Sequence, residues 1–528
     1  MILTFVTTAC EKDSENVSND TNRSYSFIKG NDGSIQLGER IEDPYKFENM
    51  EAAFQKLCEQ GVSFPFSGIA PTNTYVKVLI HSEEELESIE ADTTLIWFDY
   101  PLDYEIVNFG SYYFDPTLDS SYSWQYGVIP LGYTLPSGLT VNQIYQVFIP
   151  EENPDYDSYK TYYDMIEEMS ESMCDKSNVD ESLESKSGKW YPSAHITVYD
   201  NFMDSNVSLE GVRVNVHRGC KTRYAVTDAD GECTFDTKFK GKVDYSIEWR
   251  RHYWRIVYGD KNKKAYYTGS SKEGKWEINM DVNCTNNDID DYMRATIHRA
   301  AVVANYKPEY WPIAKPHKTN LIGCNVKLII RYEHKKAAAV GSAEPGNTTN
   351  LGGADVVIRG MDENGDLRGA QFIFSNTLHE LAHCAHAYWY DLRHNNGDFD
   401  FVNKFIIESW ASCVQWKVTT DYYEEENFDN RGYNGGLQNW TSNLANSQII
   451  YYTPVFIDLI DNYNQHNYIM NAPEDEITGY TLIEIQDNIL EESTDKNSLE
   501  NALKRHKLHS TTDDQISALL LKYRYLPF

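Results

Sequence analysis

The sequence predicts a multidomain α+β chain with a mixed N-terminal domain, an all-β module and a mainly helical C-terminal domain. Three observations predict it. At 528 residues the chain exceeds what one hydrophobic core ordinarily serves. Residues 189–285 carry short alternating strands at regular spacing, separated by turn residues. Beyond residue 286 the apolar period becomes that of long amphipathic helices. The expected organisation is a polar leader and tether over 1–24, an α+β domain of unassigned role over 25–188, the all-β module over 189–285, and the C-terminal domain over 286–528.

Charge and cysteine usage narrow the function classes. The formal net charge is −33. A polyanion of this size repels nucleic-acid phosphates and anionic headgroups, so nucleic acid is excluded as an expected partner. No run approaches the roughly 18 consecutive apolar residues of a membrane span. The nine cysteines are scattered without a CxxC pair, which argues against a thiolate metal site. Apart from Cys10, they can pair in an oxidising compartment or stay as buried thiols. The 39 tyrosines suit β-sheets, cores and glycan-contacting surfaces alike.

The chain opens with a short apolar run ending Thr8-Ala9-Cys10, followed by Glu11-Lys-Asp-Ser-Glu15. This resembles the tail of a bacterial lipoprotein signal peptide, in which the cysteine receives the lipid. The acidic stretch resembles the export tag of some Gram-negative outer-membrane lipoproteins. The resemblance implies a secreted or cell-surface protein, with membrane attachment only through a lipid on Cys10. Residues 11–24 are polar, as a tether requires.

In the 25–188 region, residues 47–59 read as a short helix and Tyr75–Ile80 as a strand. Ser82-Glu-Glu-Glu85 forms a capping box that opens a helix through Ile89. Thr94–Phe98 reads as another strand, with tyrosine-rich strands after it. Residues 151–188 are acidic and read as a linker. A binding or spacer role fits this region better than an inhibitory pro-segment, because it carries no cysteine switch or cleavage signal.

The all-β module is expected to hold strands at Ile196–Tyr199, Val212–His217, Tyr224–Thr227, Cys233–Asp236, Val243–Trp249 and Trp254–Tyr258. Asp228-Ala-Asp-Gly231 is a turn. The pattern Gly211-Val-Arg-Val-Asn-Val216, then Val226-Thr-Asp-Ala-Asp-Gly-Glu-Cys-Thr-Phe235, resembles the transthyretin-like (carboxypeptidase-regulatory-like) β-sandwich. That resemblance implies a spacer or adhesion module.

The C-terminal domain carries the chemistry. Asp288–Ala304 reads as a helix, and Val326–Tyr332 and Ala354–Arg359 as strands. The segment Ser375-Asn-Thr-Leu-His379-Glu380-Leu-Ala-His383 contains one HExxH. Residues four apart lie on one helical face, so both imidazoles can reach one ion. Glu380 edges toward that face, where its carboxylate can take a proton from metal-bound water. Leu378, Leu381, Ala382 and Ala385 form a separate apolar stripe. Ser375 or Asn376 is the expected N-cap, and Asn395-Asn-Gly397-Asp the expected stop.

A third ligand is needed. The metzincin continuation is absent, since His386 stands at its glycine position and Trp389 at its third histidine. Asp391 sits in sequence that does not fit an aspzincin. Glu408, 25 positions past His383 in Phe405-Ile-Ile-Glu-Ser-Trp-Ala411, remains. Phe401, Phe405, Ile406, Trp410 and Val414 make its segment an amphipathic helix that can return antiparallel. His386 and His394 are read as bystanders.

His379-Glu380-x-x-His383 with Glu408 downstream resembles the gluzincin (zincin-like) metallopeptidases, of which the thermolysin-like enzymes are best known. The resemblance implies that His379, His383 and Glu408 hold Zn2+ and that Glu380 is the general base. It implies a zinc-dependent endopeptidase acting on extracellular protein or glycoprotein. The thermolysin-like group orients a histidine with an aspartate four residues after the glutamate, where this chain has Ser412. Mucin-directed and other glycoprotein-directed peptidases with a variable gap fit equally. Tyr433, Tyr451, Tyr452 and His466 are candidates for holding the oxyanion, and Ala354–Arg359 for the edge strand that pairs with substrate. The competing expectations are a catalytically silent zinc-binding surface adhesin, and a zinc hydrolase of another bond.

Overall fold

The computed structural model describes residues 34–174, 188–281, 289–307, 328–336, 341–343, 355–393, 402–425, 452–467 and 473–524, save short stretches within 111–122 and 252–273. Cys10 and the tether lie outside them, as do Tyr433, Tyr451, His394 and the turn at 395–398. The chain is mixed α+β, with five sheets among the described residues.

In the N-terminal region, strands β1 (Gln36–Arg40) and β4 (Tyr104–Asn108) form a small ribbon. Strands β2 (Asn73–Ile80), β3 (Trp97–Phe98), β5 (Ser123–Pro130) and β6 (Thr140–Val147) form an antiparallel sheet in the order β3-β5-β2-β6. The strand expected from Thr94 begins only at Trp97, because Asp92 bonds the Thr94 N–H and hydroxyl in a turn. Helix α1 (Phe47–Glu59) buries Met50, Ala53, Phe54 and Leu57, spaced as one helical stripe. Helix α2 (Glu83–Glu90) is capped by Ser82, whose hydroxyl accepts from the Glu85 N–H. The Glu85 carboxylate takes the His81 N–H at 2.7 Å, so only half of the expected box forms.

Residues 156–174 are not a linker. Tyr156–Cys174 is a helix, α3, kinked at Tyr159 and packed on α1. Its acidic composition hides an inward stripe of Tyr163, Ile166, Glu167 and Ser170. The acids are counter-ions for the β module. Glu167 meets Lys221 at 2.9 Å and accepts from the Tyr45 hydroxyl at 2.7 Å; Glu171 meets Arg218 at 3.3 Å. Burial raises the Glu167 carboxyl, but Lys221 and Lys189 outweigh it and bring it to about 2. Such buried pairs fix geometry more than they add net stability.

The β module is a two-sheet arrangement. Strands β9 (Arg213–Arg218), β10 (Lys221–Val226), β12 (Asp244–Glu248) and β15 (Tyr266–Thr268) form one sheet, in the order β10-β9-β12-β15. Strands β7 (Ser193–Asp200), β11 (Glu232–Thr234) and β16 (Lys275–Met280) form the other, with β8 (Ser205–Ser208) beside β7. Tyr245 stacks on Trp276 with ring centres 5.0 Å apart. At the Asp228–Gly231 turn, the Asp228 carboxylate accepts the Asp230 and Glu232 N–H groups. Gly231 is required there: its φ is +72°, and a Cβ would lie 2.5 Å from the Ile196 carbonyl oxygen.

One strand departs from expectation. Strand β13 (Trp254–Tyr258) follows β12 but leaves both of these sheets. It pairs in parallel with β17 (Leu328–Lys336), Trp254 opposite Leu328. With β14 (Lys263–Lys264), β18 (Gly341–Ala343) and β19 (Val356–Met361), these build a five-stranded sheet in the order β14-β13-β17-β19-β18. Trp254, Arg255, Ile256 and Val257 are all buried, as in the middle of a parallel sheet covered on both faces. Regular strand spacing alone does not reveal which sheet a strand joins.

Helices α4 (Ile289–Tyr306), α5 (Ala370–Arg393) and α6 (Lys404–Glu425) accompany this sheet. The corner between β7 and β8 ties all three together. Asp200 pairs with Arg299 of α4 at 2.6 Å and accepts from the Tyr423 hydroxyl of α6 at 2.8 Å. Asn201 accepts the Ala370 N–H at 2.7 Å and so caps α5. The β module and the C-terminal region share one continuous hydrophobic core, whereas the N-terminal region has three smaller clusters, one of which takes in Cys220 of the β module.

A fragment starting at residue 286 would lack β13, β14 and the Asp200 and Asn201 side chains that anchor the helices. It is expected to give no cooperative urea transition, while a fragment starting at residue 189 gives one, read by tryptophan fluorescence.

Candidate metal centre

Helix α5 begins at Ala370, five residues before the expected caps Ser375 and Asn376. Ala370, Ile373 and Phe374 are buried and extend the stripe of Leu378, Leu381, Ala382 and Ala385. With Asn201 supplying the cap, Ser375 and Asn376 instead donate back to the Phe372 carbonyl, at 3.1 and 2.9 Å.

The two helices run antiparallel. Phe374 packs against Tyr422 and Tyr423 near one end, and His383 approaches Glu408 near the other. Phe405, Ile406, Trp410 and Val414 are buried as expected, but so are most of the residues between Ser409 and Tyr423, so α6 is covered on nearly every side and is not amphipathic; Phe401 lies outside the described residues. This pairing brings His379, His383 and Glu408 together, with donor atoms within 4.8 Å of one another. Among the described residues it is the one cluster of three such side chains able to hold a metal ion.

Its dimensions test the fit. The two Nε2 atoms are 3.0 Å apart, and one Glu408 oxygen lies 3.4 Å from His379 Nε2 and 3.5 Å from His383 Nε2. A four-coordinate ion about 2.0–2.1 Å from each donor requires edges of about 3.3 Å. The three donors therefore outline one face of a tetrahedron, and two imidazoles with one carboxylate suit a small divalent cation.

Electrostatics agree with a site built to hold charge. Burial alone would push the Glu408 carboxyl up, but His383 and His379 hold it well below the usual carboxylate range. Glu380 goes the other way. Burial raises its carboxyl, Glu408 adds to that, and the two imidazoles only partly offset it. Two neighbouring carboxyls are thus driven apart in acidity.

Glu380 lies against the sheet. A Cβ at Gly341 would sit 2.6 Å from Glu380 Oε1. Gly341 belongs to β18, among the described residues the outermost strand beyond β19, which pairs with it antiparallel. The expectation of an edge strand at Ala354–Arg359 is therefore corrected. That segment, observed as Val356–Met361, is flanked by β17 on one side and β18 on the other. Three residues of strand are too short to leave a periodic signal in the sequence.

Other expected residues fall as follows. His386 is buried outside the cluster, and burial together with His383 lowers its imidazole to about 3. Tyr452 is half-buried beside the core, and the neighbouring Thr453 donates its N–H to the hydroxyl of Ser409, the residue after Glu408. His466 is exposed in the turn Gln465–Asn467. Cys58, Cys174, Cys220, Cys233, Cys384 and Cys413 carry free thiols.

Two site residues escaped the sequence reading. Ser412 does not meet His379; Gln415 does, with its Oε1 3.0 Å from Nδ1. Glu408 and Gln415 are seven residues apart, two helical turns, and that shared face was the available signal. Gly341 left no signal. No family model matches the chain, and neither a curated protein nor a solved structure matches it.

Calorimetric titration of the chelator-stripped chain should give one equivalent of tightly bound divalent metal. Glu408→Ala should lower affinity by more than the about 10- to 100-fold that loss of an outer partner costs. Unchanged binding in that variant would remove Glu408 from the site.

Proposed function

We propose that this chain is a zinc-dependent endopeptidase of the gluzincin type, acting on extracellular protein or glycoprotein. The observation that carries the reading is the joint geometry of ligand triad, acid and strand. Two imidazoles and a carboxylate outline one ion, and Glu380, on the helix that carries both histidines and within their electrostatic reach, lies against strand β18. Zinc bound there would act as a Lewis acid toward a peptide carbonyl and would acidify water.

The chain's own groups perform the rest. Glu380 is held in a water-poor setting that raises its affinity for a proton, the direction a general base requires. It accepts a proton from the attacking water at its carboxylate and passes it to the leaving amine nitrogen. Strand β18 offers main-chain groups to an extended peptide, which would add to the sheet as a further antiparallel strand. Such pairing recognises backbone rather than side chains, so it suits an endopeptidase. Tyr452 and His466 are the described candidates for holding the oxyanion, and Tyr452 is favoured because the chain at 452–453 runs beside the ligand helix.

The β module is assigned as transthyretin-like on its motif and two-sheet build. The apolar leader ending at Cys10 supports placement at a cell surface. No helix among the described residues is long and apolar enough to cross a membrane.

Glu380→Gln should lower cleavage of an unfolded protein or a mucin by about 100- to 10,000-fold while zinc stays bound. Retained turnover would remove the general-base role. A wild-type chain that binds zinc yet cleaves no member of a protein and glycoprotein panel would favour the silent adhesin instead. Gly341→Ala should also cut turnover and leave zinc affinity intact, because the added methyl overlaps the Glu380 carboxylate and not the ligands. Equal kcat in that variant would separate Glu380 from β18.

A further inference from the structure

We infer that Gln415 is the positioning residue of the metal centre, and that it fixes His379 through a neutral amide where a charged partner would also fit. The inference rests on the metal-site reading above. His379, Gln415 and Ser375 are all buried, so each polar atom in their chain has a defined task.

The proton inventory runs from helix α5 outward and back. The Phe372 carbonyl can only accept, so the single hydroxyl proton of Ser375 is committed to it. That leaves the Ser375 oxygen as an acceptor, and the Gln415 amide nitrogen donates to it at 3.5 Å. The Gln415 nitrogen is thereby turned toward Ser375, and its oxygen toward His379 Nδ1 at 3.0 Å. An amide oxygen accepts only. Nδ1 must therefore carry the ring proton, and Nε2 presents its lone pair to the point shared with His383 and Glu408.

The partner's charge matters as much as its position. A carboxylate behind a ligand histidine strengthens that ligand's donation to the metal. Gln415 supplies the same acceptor without the charge. Glu408 is then the one anionic ligand, and the ion keeps more of its electrophilic character. The structure thus assigns to one amide both the tautomer of His379 and a limit on how tightly the ion is held.

The test uses the full chain stripped of metal, with zinc affinity by competition against a chromophoric chelator and the visible spectrum of the cobalt-loaded form. Gln415→Met keeps the volume and removes the acceptor. Gln415→Glu keeps the acceptor and adds charge. Ser375→Ala leaves Gln415 in place but frees its orientation. The expected result is about 10- to 100-fold weaker zinc in Gln415→Met with an altered cobalt spectrum, a smaller loss in Ser375→Ala, and affinity at or above wild type in Gln415→Glu. Thermal melts of the metal-free variants confirm that each is folded. Wild-type affinity and spectrum in Gln415→Met would overturn the proposal, as would a loss in Gln415→Glu equal to that in Gln415→Met. Because the readout is metal binding, it stands apart from the peptidase reading: a chain that holds zinc through Gln415 but cleaves nothing defeats only the latter.

Discussion

A carboxylate kept out of water between two imidazoles is the constraint on which the rest of this structure depends. Glu408 is largely buried on a helix whose neighbours are apolar, where an unpaired charge would cost several kcal/mol. It is tolerated because His379 and His383 converge on one of its oxygens. Convergence requires two helices to pack antiparallel in one register, and that register needs both to be anchored. The sheet beneath them, the apolar faces of α5 and α6, and the corner at Asp200 and Asn201 all serve the same short distances.

That dependence changes how the β module is to be understood. Its motif implies a spacer, yet its corner caps the helix bearing both histidines and pairs with the helices on either side. The polypeptide also leaves the module after β12, lays β13 and β14 into the neighbouring sheet, and returns for β15. The hydrophobic core runs through both without interruption. The N-terminal region is joined differently, by buried ions: Lys221 reaches across to Glu167, and Arg218 to Glu171. One junction is a single continuous apolar core; the other combines these ion pairs with a smaller cluster in which Phe98 and Tyr100 meet His217.

What the sequence made legible follows from the range of each signal. The apolar stripe beside His379 and His383 is local and strong, and the apolar residues flanking Glu408 mark a helix even though that helix proves to be buried on nearly every side. The alternation and turn residues of the β module were readable for the same reason. Signals failed where a partner distant in sequence decides the outcome. The acids of residues 156–174 look like a solvated linker until Lys221 and Lys189 are placed beside them. Trp254–Tyr258 looks like a sandwich strand until Leu328 appears opposite it. Asn201 displaced the cap expected at Ser375 or Asn376, and Gln415, from further along the same helix, took the place beside His379 for which the sequence reading had named no residue. Gly341 is legible only as an absence of side chain, and absence has no pattern.

The parallel pairing of β13 with β17 also dictates an order of events during synthesis. Trp254, Ile256 and Val257 leave the ribosome well before Leu328–Lys336, and β19 follows later still. Until then this apolar strand has only the two-residue β14 beside it, and its other edge is unpaired. Long-range parallel pairing is slow to form and leaves such edges open to association with other chains. The nascent polypeptide must therefore be shielded through this interval.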